Sequence, residues 1–237
     1  MTSDELARAL VELGHARKAV QRPAAERLAA AARDDATVRG AVAARLASAD
    51  PRERWGAAYA LAQVEVAPRD AMPALLEALA SPDGDLRWAS ARILVRAIRH
   101  EPALAALVPP LVDAPSSLQR KMALYCLRDL AGAVPVDGSG IATALADVDP
   151  AVRIAAMAAA LAALPRTAEV AERLAALLDD DEAGVRRVAA VTLGQLGVTT
   201  PAVTRRLDAA TSSEDAHLAR AAGDALSRLA ASTSTVP

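Results

Sequence analysis

Only four aromatic residues occur in the chain, Trp55, Tyr59, Trp88 and Tyr125, and none is phenylalanine. Each stands beside a cation or another ring at helical spacing. Trp55 precedes Tyr59 by four residues, Trp88 precedes Arg92 by four and Arg96 by eight, and Tyr125 lies between Lys121 and Arg128. Residues three or four apart share one face of a helix. Rings and guanidiniums on such a face can hold apolar side chains and pair carboxylates, and Trp, Tyr and Arg dominate binding hot spots. We therefore expect Trp55, Tyr59, Trp88, Arg92, Arg96, Lys121, Tyr125 and Arg128 to form one partner-binding stripe, with both tryptophans exposed as its anchors. The competing expectation is that the rings merely pack between neighbouring helices.

A second series has a different character. Arg54, Arg87, Arg120, Arg153 and Arg186 recur every 33 residues, and Asp50, Asp83 and Asp149 stand four residues before three of them. The planar arginine fork makes several bonds with one fixed geometry. This series is expected to bond turn carbonyls and the cap acid of a neighbouring repeat, forming a structural ladder.

Other chemistry is sparse. His15, His100 and His217 share no register, and His100-Glu101 is a single His-Glu step, so no metal is expected. The one cysteine, Cys126, borders the core and is expected to be a packed thiol. No nucleophile, base and orienting group occur at a recognisable spacing. No catalytic residue and no cofactor are therefore expected, and the reading leans away from an enzyme. The acidic run 179–182 reads as a solvated turn that complements the helix after it.

The elements that must carry these residues follow from the same period. The series Leu28, Leu61, Leu94, Leu127, Ala160, Leu193 and Leu226 keeps the 33-residue step, as does Leu13, Leu46, Leu79, Val112, Leu145, Leu178 and Thr211. A period in this range marks a solenoid. Each repeat holds two helical runs, the second opening at a turn such as Asp50-Pro51 or Asp149-Pro150. Asp suits a helix N-cap and proline the first helical position. One column is small throughout, namely Ala57, Ser90, Ala123, Ala156, Ala189 and Ala222. It lets second helices approach closely and lies about 200° from the aromatic column at about 100° per residue. That places the aromatic column on the outer face of the second helix, which commonly lines the concave surface of a solenoid.

The fold class is thus all-α, a right-handed α-α superhelix of about seven two-helix repeats. One domain is expected over 1–231, with repeats near 3–33, 37–66, 69–100, 103–133, 138–164, 167–197 and 201–231, and a disordered tail over 232–237. Ser3 is expected to cap the first helix. Pro23 should start or kink its helix, and Pro109-Pro110 should break one. The stretch 134–139 reads as the loosest connection and a candidate hinge.

The segments Asp149-Pro150-Ala151-Val152-Arg153 and Val185-Arg186-Arg187-Val188-Ala189-Ala190, the latter followed by Leu193-Gly194, resemble the HEAT-repeat family. The likeness is to the short HEAT-like repeats of phycobilin lyase subunits in particular, and it covers roughly residues 3–230. It implies fold more than function, because HEAT repeats serve scaffolds, adaptors, lyases, a metal hydroxylase and DNA glycosylases. The leading expectation is a non-enzymatic scaffold or adaptor whose concave face binds a protein or peptide. A phycobilin-lyase-like subunit or chaperone for a tetrapyrrole-type ligand comes second. A nucleic-acid groove of the alkylpurine glycosylase type comes last. Seven cations stand against three acids between residues 86 and 130, but the acid that such enzymes need beside the aromatic cradle is missing.

The net charge of -2 gives no global basic field for nucleic acid. Hydrophobic residues make up 53% of the chain, much of it alanine, as thin layers between close helices require. The start of the chain lacks the basic and apolar regions of a signal peptide. The apolar run 154–164 is too short to span a bilayer. A cytoplasmic protein without a membrane partner is expected.

Overall fold

Caps and prolines at 33-residue intervals set the helix starts. In the computed structural model, which describes residues 1–65 and 67–233, the described residues form helices and turns and no strand. Two compact units divide at Leu104 and Ala105. The first holds α1 (Ser3–Glu12), α2 (Lys18–Asp34), α3 (Ala36–Ala44), α4 (Pro51–Val64), α5 (Met72–Ala78) and α6 (Gly84–His100). The second holds α7 (Ser117–Leu130), α8 (Ser139–Ala144), α9 (Pro150–Ala163), α10 (Ala168–Ala176), α11 (Ala183–Leu196), α12 (Pro201–Thr211) and α13 (Ala216–Thr233). No helix among the described residues is long and apolar enough to cross a membrane.

Within each unit the long second helices lie side by side and the first helices pack behind them. In the first unit α2 packs on α4, with α3 and α5 beside α4. In the second, α7, α9, α11 and α13 follow one another, with α8, α10 and α12 alongside. The small column explains this layering. Ala57, Ser90, Ala123, Ala156, Ala189 and Ala222 are all fully buried, and in the second unit neighbouring second helices meet across alanine-sized side chains, whereas Trp55 stands between α4 and α6. Leu28, Leu61, Leu94, Leu127 and Leu193 fill the layers between.

Asp50, Asp83 and Asp149 accept backbone N–H bonds at the starts of α4, α6 and α9. Several expectations need correction. Thr2, not Ser3, caps α1, because its hydroxyl accepts from the Glu5 N–H while the Glu5 carboxylate accepts from the Thr2 N–H. Pro23 lies inside α2, which starts five residues earlier at Lys18. Pro109-Pro110 does break a helix: the turns Pro102–Leu107 and Pro109–Asp113 replace the first helix of repeat four. The expected hinge at 134–139 does not separate its neighbours, since α7 packs directly on α9 across it. Helix α13 runs to Thr233, beyond the expected start of the tail at 232, and residues 234–237 lie outside those described.

Helix α11 approaches α13 closely at Gly194. A Cβ there would stand 2.9 Å from the Cα of Ala225 on α13. Backbone cannot give way cheaply, so Gly194→Ala is expected to lower stability by about 1–2 kcal/mol despite the better helix propensity of alanine. Gly223 of α13 has open space around its Cα, and Gly223→Ala should instead gain about 0.5–1 kcal/mol. Chemical denaturation of both variants checks the pair, and a stabilised Gly194→Ala would refute the close approach.

Candidate functional site

The site is built from α4 and α6 in the first unit. Tyr59 and Gln63 of α4 face Trp88, Arg92 and Arg96 of α6, and Arg22 of α2 and Asp85 also line the groove, whose volume is about 550 Å³. Four of the residues expected to bind a partner, Tyr59, Trp88, Arg92 and Arg96, therefore share one groove. Trp88 is 44% exposed. Arg92 is exposed and makes no hydrogen bond or ion pair among the described residues. Arg96 reaches across to α4, where its Nη2 donates to the Ala62 carbonyl. Gln63 Nε2 is buried and has no partner among the described residues.

Trp55 does not belong to this exposed surface. It is 2% exposed, its ring stacks on Tyr59 with centroids 5.0 Å apart, and its indole N–H donates to Ser90 Oγ at 2.9 Å. Lys18 of α2 reaches past repeat two to the start of α6, placing Nζ 2.7 Å from Asp83 and 2.8 Å from Asp85. Arg22 Nη2 stands 3.8 Å from Asp85. These pairs tie α2 to the start of α6 beside Trp55, whose own contacts are Tyr59 and Ser90. The expected exposure of Trp55 is thus wrong, whereas that of Trp88 holds.

A second cleft of about 560 Å³ lies on the other side of Trp55, among His15, Lys18, Gln21, Glu77 and Asp83. Its main charges are already paired, Lys18 with Asp83 and Glu77 with Arg54. Gln21 takes the place of the repeat arginine, and its amide donates to the Leu13 and Arg52 carbonyls.

The remaining expected residues lie in the second unit, on α7. The Arg128 guanidinium sits 4.8 Å above the Tyr125 ring and its Nε donates to Asp129 at 2.7 Å. Lys121 is half-buried one turn before Tyr125. Cys126, on the same helix, is buried, and that burial pushes its thiol up to about 12, so it stays protonated and unreactive.

The arginine series acts as expected on carbonyls and differently on acids. In every case Nη1 donates to the carbonyl six residues earlier, that of Ser48, Ser81, Ala114, Asp147 or Asp180. The acids are not the caps Asp50, Asp83 and Asp149, which are occupied by their own helix starts. Arg120 pairs with Asp147 and Arg153 with Asp180, each 27 residues on, while Arg54 pairs with Glu77 of α5. Sequence reasoning missed this second function of the column two residues before the cap. Ser48, Ser81, Asp147, Asp180 and Ser213 each accept from the N–H two residues later, and where the residue is Asp it also receives the arginine of the repeat before. The signal was present, since all five positions keep the 33-residue step.

The chemistry follows from the arrangement. The groove offers a flat ring and several hydrogen-bond donors. Among the described residues no cluster of three or more His, Cys, Asp or Glu could hold a metal ion.

Comparison with known proteins adds the fold family. Residues 41–128 match the model for HEAT repeats. No curated protein matches the sequence. Solved structures do. The archaeal HEAT-like repeats protein from Thermococcus onnurineus NA1 is 14% identical with a TM-score of 0.54, over 94% of this chain and 98% of that one. Importin beta is 17% identical with a TM-score of 0.62, over 98% of this chain and 36% of its own. Kap95p is 13% identical with a TM-score of 0.53, over 99% of this chain and 41% of its own. At these identities the likeness is one of fold. Repeats of this kind offer extended surfaces to partners. Family match and solved neighbours agree with the 33-residue period and its caps, and the chain has the fold of HEAT-like helical repeats.

Proposed function

We propose that the protein is a non-enzymatic interaction module that binds a protein or peptide partner in the groove between α4 and α6. The observation that carries this reading is Trp88, a large ring 44% exposed beside the unpaired Arg92 in an otherwise well-filled helical layer. Exposed large apolar surface rimmed by polar groups marks interaction sites. The same argument does not extend to α7, where Lys121, Tyr125 and Arg128 are half-buried and Arg128 is already engaged by Asp129 and the Tyr125 ring. Among proteins of this fold Kap95p binds RanGDP, which supports a protein as the class of partner.

The test is Trp88→Ala. Partner capture from the native host is expected to fall by about thirtyfold, the loss of one aromatic anchor at about 2 kcal/mol. The melting curve should move far less than for a fully buried ring, because nearly half of the side chain faces solvent. Undiminished capture of a stoichiometric polypeptide by Trp88→Ala would refute the groove as the binding face. A coloured chromophore that co-purifies in place of a polypeptide would favour a tetrapyrrole-binding subunit instead.

A further inference from the structure

We infer that the groove receives an acidic peptide segment, with one of its apolar side chains on the Trp88 indole and its carboxylates on Arg92 and Arg96. This rests on the groove being the binding face. Trp88, Arg92 and Arg96 follow one another at four-residue steps along α6, a stripe of about 12 Å at about 1.5 Å per residue. Tyr59 and Gln63 form the wall opposite. The groove lining contains three guanidiniums, of Arg22, Arg92 and Arg96, and one carboxylate, of Asp85.

That carboxylate does not neutralise the stripe. Asp85 is held by Lys18 at 2.8 Å, with Arg22 at 3.8 Å, at the start of α6. Arg92 and Arg96 lie about 10 and about 16 Å further along the helix. Arg92 has no acid partner among the described residues, and Arg96 bonds only a neutral carbonyl, that of Ala62. Gln63 lines the opposite wall and carries no charge to offset them. The groove thus carries a local positive field on a chain whose net charge is -2. Its free groups are donors, and they call for acceptors. A bare anion would satisfy the arginines but leave the Trp88 face uncovered. A peptide with an apolar side chain near its carboxylates uses both. Two arginines one turn apart, with Asp85 at the start of the same helix, make a poor footprint for nucleic acid, which is recognised by longer basic stripes.

The test uses the full chain. A random dodecapeptide display library is selected on the immobilised protein, on Trp88→Ala and on the double variant Arg92→Glu with Arg96→Glu. The best peptide is resynthesised and titrated by tryptophan fluorescence at about 50 and about 300 mM salt. The wild type is expected to enrich Asp and Glu beside an apolar residue. The best peptide should bind at least about tenfold more weakly to Arg92→Gln with Arg96→Gln, and more weakly at the higher salt. The charge-reversed variant should switch its enrichment to Lys and Arg, an outcome that a misfolded protein cannot produce. Trp88-dependent enrichment of neutral or basic peptides would overturn the acidic assignment while leaving the groove as the binding face. Absence of any Trp88-dependent enrichment would overturn both. Competition by a twelve-residue oligothymidylate at lower concentration than the best peptide would assign the groove to nucleic acid.

Discussion

Trp55→Ala is expected to lower the stability of the chain by about 3–5 kcal/mol, the range for removing a large buried ring. The side chain is 2% exposed, stacks on Tyr59 and holds Ser90 by its N–H. Its removal leaves a cavity between α4 and α6 and an unpartnered hydroxyl in the core. Trp88→Ala is expected to give the opposite pattern, with a much smaller loss of stability and with binding lost. The two tryptophans occupy equivalent positions in successive repeats, so the contrast isolates environment from residue type. Ser90→Ala provides the milder step, about 1–3 kcal/mol, since it strands the indole N–H. Urea unfolding of the three variants checks the order. A Trp55→Ala protein that unfolds with the wild type would show that this ring is not part of the core. Acrylamide should quench Trp88 readily and leave Trp55 shielded.

The repeat made much of this legible. A 33-residue column states which face of its helix a residue occupies, and that sufficed for the buried alanines, the arginines and the caps. It also brought Tyr59, Trp88, Arg92 and Arg96 together before any coordinates. What a column cannot state is what lies in front of the face. Trp55 and Trp88 share one column, yet the first is buried against Tyr59 and Ser90 and the second is exposed, and Lys18 joins Asp83 across 65 residues beside the first alone. No periodic pattern carries that contact, because it occurs once. The ladder acids were missed for a different reason. Asp50, Asp83 and Asp149 stand at an obvious cap position, but the arginine of the repeat before reaches the acid two residues ahead of the cap instead. That column reads Ser48, Ser81, Ala114, Asp147, Asp180 and Ser213, and its mixture of types obscures the two acids. Ser90 was also legible in principle, as the one hydroxyl in a column of alanines.

The ladder yields the second large effect. Arg153→Ala is expected to cost about 3 kcal/mol. The substitution removes bonds to the carbonyls of Asp147 and Val148 and leaves Asp180, whose side chain is only 8% exposed, facing no cation 2.7 Å away. The exposed pair Arg173–Glu169 on α10 is the control, and Arg173→Ala should change stability by less than about 0.5 kcal/mol. The pair also sets an acid response. Burial pushes the Asp180 carboxyl up, but the hydrogen bonds from Arg153 and the Glu182 N–H outweigh it and hold the group below its ordinary value. Arg120 does the same for Asp147. A carboxylate with a depressed folded value contributes stability that is fully present above its unfolded value, near 3.9, and is lost as pH falls through the folded one. Wild-type stability should therefore decline below about pH 4, and Asp180→Asn, which has no proton to gain there, should decline less steeply. Above about pH 5 the two profiles should run parallel, offset by the lost charge–charge contact. Unfolding measured from pH 2 to pH 7 decides the matter: an Asp180→Asn profile as steep as the wild type in acid would remove Asp180 from the ladder, and an Arg153→Ala protein as stable as Arg173→Ala would remove the arginine.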